Sequence, residues 1–319
     1  MSYIHWLRSK IGHRKTIIVY GVIVLRDEAG GVLLQRRTDF DIWGLPGGII
    51  EPGENILECT RRELLEESGL LCGSLHLVGV YTDPQYDSVY PNGDQVQQYS
   101  VVFQGPLAGG EMQVDGEETS ALAFFPPNEI PFAELPNFYA DMIRDALRGG
   151  PPVFSPPFSL PDPVDQIAMI RPLLGPELYL GAGAIVAARD EQGRLLVVKR
   201  TDDGEWSLPG GYTNLGENVA YTAQREVLEE TGCQVALERI LGVYSPSSPW
   251  AYPNGDQTQA VITVFRARLA GGAPRPDRTE TSQVGWMTCD ELLQLETHPI
   301  LRQLNQAVVE NLEQGVFVI

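Results

Sequence analysis

The chain has 319 residues, 43% of them apolar, which is enough for packed cores and, at roughly 150 residues per domain, points to about two domains. Its formal charge of −19 repels phosphate backbones and argues against nucleic-acid polymers as partners, while a small phosphate ligand held through a divalent cation stays compatible. No apolar run approaches the roughly 18 residues of a membrane span, and the opening MSYIHWLRSKIGHRK lacks the apolar stretch of a secretory signal.

In chain order, Ile4, Leu7 and Ile11 recur at helical spacing and predict a short amphipathic helix. The β-branched run 17–25, a turn at 27–31 and a second strand at 31–36 predict a hairpin. A glycine-rich turn follows, then a helix over 55–68, strands near 75–81 and 98–103, and a helix over 138–147 with Asn137 as its N-cap. Residues 151–163 hold six prolines, which excludes helix and central strand and predicts an extended connector. Beyond it come strands at 183–188 and 194–199 with a turn at 190–193, and a closing helix over 299–314 led by a proline. Strands flanked by helices predict an α/β class with α/β/α layers. The expected division is domain 1 over 1–148, a linker over 149–164 and domain 2 over 165–319.

The reason for two similar halves is a repeat. At an offset of 163, Arg37-Thr38-Asp39 returns as Arg200-Thr201-Asp202, and Trp43-Gly44-Leu45-Pro46-Gly47-Gly48 as Trp206-Ser207-Leu208-Pro209-Gly210-Gly211. After one deletion, Tyr90-Pro91-Asn92-Gly93-Asp94-Gln95 returns as Tyr252-Pro253-Asn254-Gly255-Asp256-Gln257, and Glu118-Thr119-Ser120 as Glu280-Thr281-Ser282. A repeat this long is a duplicated domain, not a solenoid unit. The cysteines Cys59, Cys72, Cys233 and Cys289 form no CxxC pair, so they read as small hydrophobes in a reducing cytoplasm. His5, His13, His76 and His298 show no metal-site spacing.

The chemistry lies in two segments of identical spacing. The first is Gly48-x5-Glu54-x7-Arg62-Glu63-Leu64-x-Glu66-Glu67-x-Gly69-Leu70; the second is Gly211-x5-Glu217-x7-Arg225-Glu226-Val227-x-Glu229-Glu230-x-Gly232-Cys233. On a helix, Glu63, Glu66 and Glu67 stand at i, i+3 and i+4 and share a face. Like charges so placed destabilise a helix by a few tenths of a kcal/mol per pair. A solvated acidic face would explain one such run, but not a patterned segment that occurs twice. Clustered hard oxygens suit Mg²⁺ or Mn²⁺, which would relieve the repulsion and activate a water.

Both segments resemble the Nudix box, and the resemblance covers the chain apart from the linker and termini. It implies a mixed-sheet α/β/α sandwich with the box as loop–helix–loop, and hydrolysis by water attack on phosphorus of a nucleoside diphosphate linked to another moiety. It further implies that Glu63, Glu66, Glu67, Glu226, Glu229 and Glu230 are metal ligands or the base, with Gly48 and Gly211 at the metal. Arg62 and Arg225 would orient a glutamate, and Glu54 and Glu217 would be a further metal or structural position. Glu51 becomes Asn214 in the second copy; if Glu51 supports the arginine or a metal, that copy is expected to be slower. Since family members are often dimers, the resemblance suggests a pseudo-dimer of the two domains or a homodimer.

Outside the box, Glu118 and Glu280 fall in late loops where some relatives place a general base. Tyr90 and Tyr252 lie in turns that could shape a pocket rim. Trp43 and Trp206 either line that pocket or plug the core. Arg37 and Arg200, like Arg36, stand ready for phosphates or for strand-end salt bridges. The expected protein is a cytoplasmic, Mg²⁺-dependent pyrophosphohydrolase of small nucleotide-derived substrates, the alternative being a nucleotide-binding regulatory or scaffold protein. Prenyl diphosphate isomerase chemistry lacks a cysteine common to both halves, and RNA decapping lacks a basic stripe.

Overall fold

Strand Thr16–Arg26 is buried along nearly its whole length, because it runs through the middle of a sheet covered on both faces. The computed structural model describes residues 2–114 and 116–319, which divide into unit 1, ending at Phe154, and unit 2, beginning at Ser155. Unit 1 opens with α1 (Tyr3–Ile11), which buries Tyr3, Leu7 and Ile11. Its sheet runs in the order 153–154, 76–81, 95–110, 16–26, 32–37, 43–44, with 119–125 also paired to 32–37. The sheet is mixed: Thr16–Arg26 is parallel to Gln95–Gly110, while Val32–Arg37 is antiparallel to Thr119–Phe125.

Strand alternation then builds the layers. Ile23 and Leu25 turn to one face and pack with Leu64 of α2 (Ile56–Ser68). Val22 and Val24 turn to the other, against Tyr139, Met142 and Ile143 of α3 (Asn137–Arg148). Gly21 lets α2 approach closely, since a Cβ there would fall 2.5 Å from the Thr60 hydroxyl. The protein is therefore an α/β/α sandwich, and the design recurs in unit 2. There α4 (Gln166–Leu174) leads into strand Tyr179–Arg189, which is parallel to Gln257–Gly272. Then α5 (Val219–Thr231) matches α2, and the capped α6 (Cys289–Leu293) precedes α7 (Pro299–Asn311), whose Leu304 and Val308 close the core.

Several boundaries differ from the sequence reading. Asn137 is the first residue of α3 and caps nothing; Pro136 precedes it without a side-chain bond. The last helix stops at Asn311, because Arg239 donates to the carbonyls of Asn311, Leu312 and Gly315 and turns the chain back. The proline-rich segment is shared between the units. Val153–Phe154 runs parallel to Gly79–Val80, and Ser159–Val164 pairs with Leu215–Glu217. Prolines are tolerated in such edge strands. In unit 2 the position of Gly79 is Gly242, paired with Phe317. A Cβ at Gly79 would meet the Val153 carbonyl at 2.6 Å, and one at Gly242 the Phe317 carbonyl at 2.4 Å. All four cysteines are free, three of them buried. Among the described residues no helix is long and apolar enough to cross a membrane.

Gly69 closes α2 in the left-handed region with φ 70°, and a Cβ would fall 2.4 Å from the Glu111 carbonyl; Gly53 has φ 88° with open space around it. Gly53→Ala should therefore cost about 1 kcal/mol through backbone conformation alone, and Gly69→Ala distinctly more, read as urea unfolding midpoints. A smaller loss at Gly69 would contradict this account of the turn.

Candidate active site

The box helix is held at both ends before it presents any carboxylate. Asn55 and Glu58 form a capping box at its start, and Gly69 caps its end. Residues 47–49 pair antiparallel with 20–22 and carry the glycine loop against the helix. Gly48 is required there: a Cβ would sit 2.3 Å from the Glu63 carboxyl carbon, and one at Gly211 would sit 2.5 Å from Glu226 Oε1.

One arginine in each unit organises the acidic residues. Arg62 binds Glu54 through Nε at 3.0 Å and Nη2 at 2.7 Å, and the Ile49 carbonyl at 3.1 Å. Its Nη1 reaches Glu63 at 2.6 Å and Glu66 at 3.0 Å. Arg225 repeats this with Glu217 at 2.8 and 3.0 Å, the Tyr212 carbonyl at 3.0 Å, Glu226 at 2.8 Å and Glu229 at 2.9 Å. Glu54 and Glu217 are thus occupied by arginine, which favours their structural reading. The suggested role of Glu51 at the arginine or a metal is not what the structure places there. Its carboxylate accepts from the Tyr3 backbone N–H at 2.9 and 3.1 Å, at the positive end of α1. Unit 2 needs no such residue, because Asp165 caps α4.

The innermost glutamates, Glu67 and Glu230, are almost fully buried. Glu67 accepts from the Gly47 N–H at 2.8 Å and from Gln35 Nε2 at 2.8 Å, while Thr119 Oγ1 donates to Gln35 Oε1 at 2.5 Å. Glu230 keeps only the first of these bonds, from Gly210 at 2.9 Å. Val198 stands where unit 1 has Gln35, so the buried Thr281 hydroxyl has no partner. In exchange, carboxylate oxygens of Glu226, Glu230 and Glu280 lie within 4.8 Å of one another. Among the described residues the unit 1 counterparts do not converge that closely. Burial pushes Glu63 and Glu226 up to about 7 and Glu67 and Glu230 up to about 8, with neighbouring carboxylates adding to the rise.

The Arg-Thr-Asp repeats position the late-loop glutamates. Thr38 N–H bonds the Glu118 carbonyl at 2.9 Å, and Thr201 that of Glu280 at 2.8 Å. Arg37 is clamped by Asp39 at 2.7 and 3.0 Å, and Arg200 by Asp202 at 2.9 Å. Arg37 and Tyr90 line a cavity of about 230 Å³ beside Gly47. Tyr90 bonds the Tyr20 hydroxyl at 3.1 Å and packs on Phe40 with ring centroids 5.4 Å apart. The following Asp94 is structural, bonded to His13 at 2.7 Å and paired with Arg8 at 3.4 Å. Trp43 and Trp206 are partly buried against the two cores: Trp43 meets Phe125 edge-on at 5.2 Å, and Trp206 packs in the unit 2 core. Arg36 makes the strand-end ion pair, with Asp41 at 2.7 Å. A larger cavity of about 500 Å³ beside Arg26 and His76 is lined by none of the box residues. Sequence reasoning missed Gln35, Tyr20 and Tyr139; a glutamine inside an apolar strand was the available signal for the first.

The NUDIX domain model matches residues 15–146 and 179–308. The chain belongs to the Nudix hydrolase family, enzymes of the pyrophosphohydrolase class, and carries two of its domains. It is 37% identical over 118 residues to a MutT-like protein of Streptomyces ambofaciens, covering 37% of this chain and 69% of that one. It is 33% identical over 135 residues to an ADP-ribose pyrophosphatase of Methanocaldococcus jannaschii, covering 41% and 73%. It is also 32% identical over 133 residues to the NAD-capped RNA hydrolase NudC of Vibrio atlanticus, covering 41% and 46%.

Two outcomes follow. Gln35→Val, copying unit 2, removes the donor to Glu67 and the acceptor of the Thr119 hydroxyl, so unit 1 should lose about 1–3 kcal/mol in chemical denaturation. The raised carboxyls also carry a pH signature. Their folded values lie above the ordinary 4.5, so their contribution is full below pH 4.5 and drains away as pH climbs through 7 to 8. Without added cation the protein should unfold at lower urea at pH 8.5 than at pH 6, and Glu67→Gln with Glu230→Gln should narrow the gap.

Proposed function

We propose that the chain is a Mg²⁺- or Mn²⁺-dependent hydrolase of the pyrophosphate bond in small nucleoside diphosphate derivatives. The observation that carries this is the convergence of Glu226, Glu230 and Glu280, a set of hard oxygen donors of the kind such cations take. Buried carboxylates raised toward neutrality are what a site looks like when its counter-charge is to come from a cation. In unit 1 the corresponding donors would be Glu63, Glu67 and Glu118, with the carbonyls of Gly48 and Gly211 as further oxygens. When bound, the cation would polarise the phosphoryl oxygens and lower the pKa of the attacking water.

The protein's own residues supply the rest. Arg62 and Arg225 hold Glu63 and Glu226 in place and neutralise the exposed Glu66 and Glu229. The innermost Glu67 and Glu230 are the candidates to accept the proton of the attacking water, directly or through one bridging water. Arg37 and Arg200, pre-aligned by Asp39 and Asp202, are placed for a substrate phosphate. The names of the relatives favour nucleotide substrates, ADP-ribose among them. The charge of −19 favours small ones over capped RNA. A regulatory or scaffold role accords poorly with two complete boxes.

In the double variant Glu67→Gln/Glu230→Gln, kcat should fall by at least about 10²-fold. EDTA should silence the wild type, and Mg²⁺ or Mn²⁺ should restore it. Undiminished cleavage in the double variant, measured as released phosphate product, rejects the proposal. ADP-ribose binding with no cleavage in Mg²⁺ would favour the scaffold role.

A further inference from the structure

The residues around the cavity beside the unit 1 glutamates are not repeated in unit 2. In unit 1, Ser88, Gln98 and Ser100 line the same cavity as Phe40 and Tyr90. Gln98 Nε2 donates to Ser88 Oγ at 2.9 Å, and Ser100 Oγ donates to Gln98 Oε1 at 3.4 Å. The amide is thereby fixed between two hydroxyls, with one N–H and one carbonyl lone pair left to offer. Gly47 joins this cavity to the acidic centre, since it lines the wall and donates to Glu67. Flat aromatic faces beside a donor–acceptor edge are what a heteroaromatic base needs: stacking on one side and hydrogen bonds at its rim.

Strand register identifies the unit 2 equivalents. Ser88 faces Val96 as Trp250 faces Thr258, and Tyr20 faces Ser100 as Gly183 faces Ile262. By the same register Gln98 corresponds to Ala260. All three polar groups are gone, and the Trp250 ring packs on His298 at 4.6 Å between centroids. The stacking wall has changed too, with Asp203 at the place of Phe40.

We infer that the two active units have different specificities, with Gln98, fixed by Ser88 and Ser100, making unit 1 selective for the nucleobase. Unit 2 then takes pyrophosphate compounds with little regard to the base. The inference rests on the pyrophosphohydrolase reading above. A site built around hydrogen bonds rejects partners that leave them unmade far more strongly than an apolar pocket rejects a misfit.

Two measurements on the full-length chain test this. The first is calorimetric titration of the wild type with AMP, GMP, UMP and CMP, which have no pyrophosphate bond to cleave. A site with at least tenfold spread among the four is expected, collapsing below threefold in Gln98→Ala and in Gln98→Glu, which keeps the shape but loses the donor. The second is kcat/KM for ADP-ribose, GDP-mannose and UDP-glucose. It should vary at least a hundredfold in Glu230→Gln, where unit 1 acts alone, and less than tenfold in Glu67→Gln. Spread that survives both Gln98 variants, or equal discrimination by the two units, overturns the inference. Absence of turnover in the wild type would instead reject the pyrophosphohydrolase reading, while the monophosphate titration still decides the role of Gln98.

Discussion

A carboxylate withdrawn from water stays charged only when a cation or several donors face it. Each unit withdraws at least two such groups at the end of a sheet, and most of the surrounding structure answers that demand. Arg62 and Arg225 each gather three glutamates and a loop carbonyl, so that one guanidinium fixes helix, loop and acidic centre together. The glycines of the loop are part of the same answer. Without their missing side chains, Glu63 and Glu226 could not lie against the backbone.

The duplicated domains meet the constraint by different means. Unit 1 adds neutral donors in series, from Thr119 through Gln35 to Glu67. Unit 2 drops them, tolerates an unpartnered buried hydroxyl at Thr281, and brings three carboxylates together. Two copies that began alike have parted in the residues around the acidic centre, while the box itself has stayed constant.

Much of this was legible in the sequence. The box pattern and the 163-residue offset identified the duplicated domain, because glycine, arginine and glutamate at those spacings have few other uses. Strand periodicity exposed the sandwich, and Gly69 was a visible helix stop. What stayed hidden depended on tertiary proximity. Glu51 looked like part of the acidic set, yet it caps α1 from 48 residues away. Trp43 could be read either way until its edge contact with Phe125 placed it against the core. Gln35 and Gln98 carry no motif, and their meaning comes from which strands lie side by side. Asn137 had the composition of a cap but not the position, since a proline already sat there.

Each sheet has its outer border closed in the same way. In unit 1 the border strand receives Val153–Phe154, and in unit 2 it receives Phe317–Val318, each seated over a glycine. An open strand border is a template on which a neighbouring molecule can add its own strand. Here the stretch of chain leaving each domain occupies that position first. Each domain therefore covers this border with a segment of its own chain, and the duplicated halves share that arrangement down to the glycine beneath it.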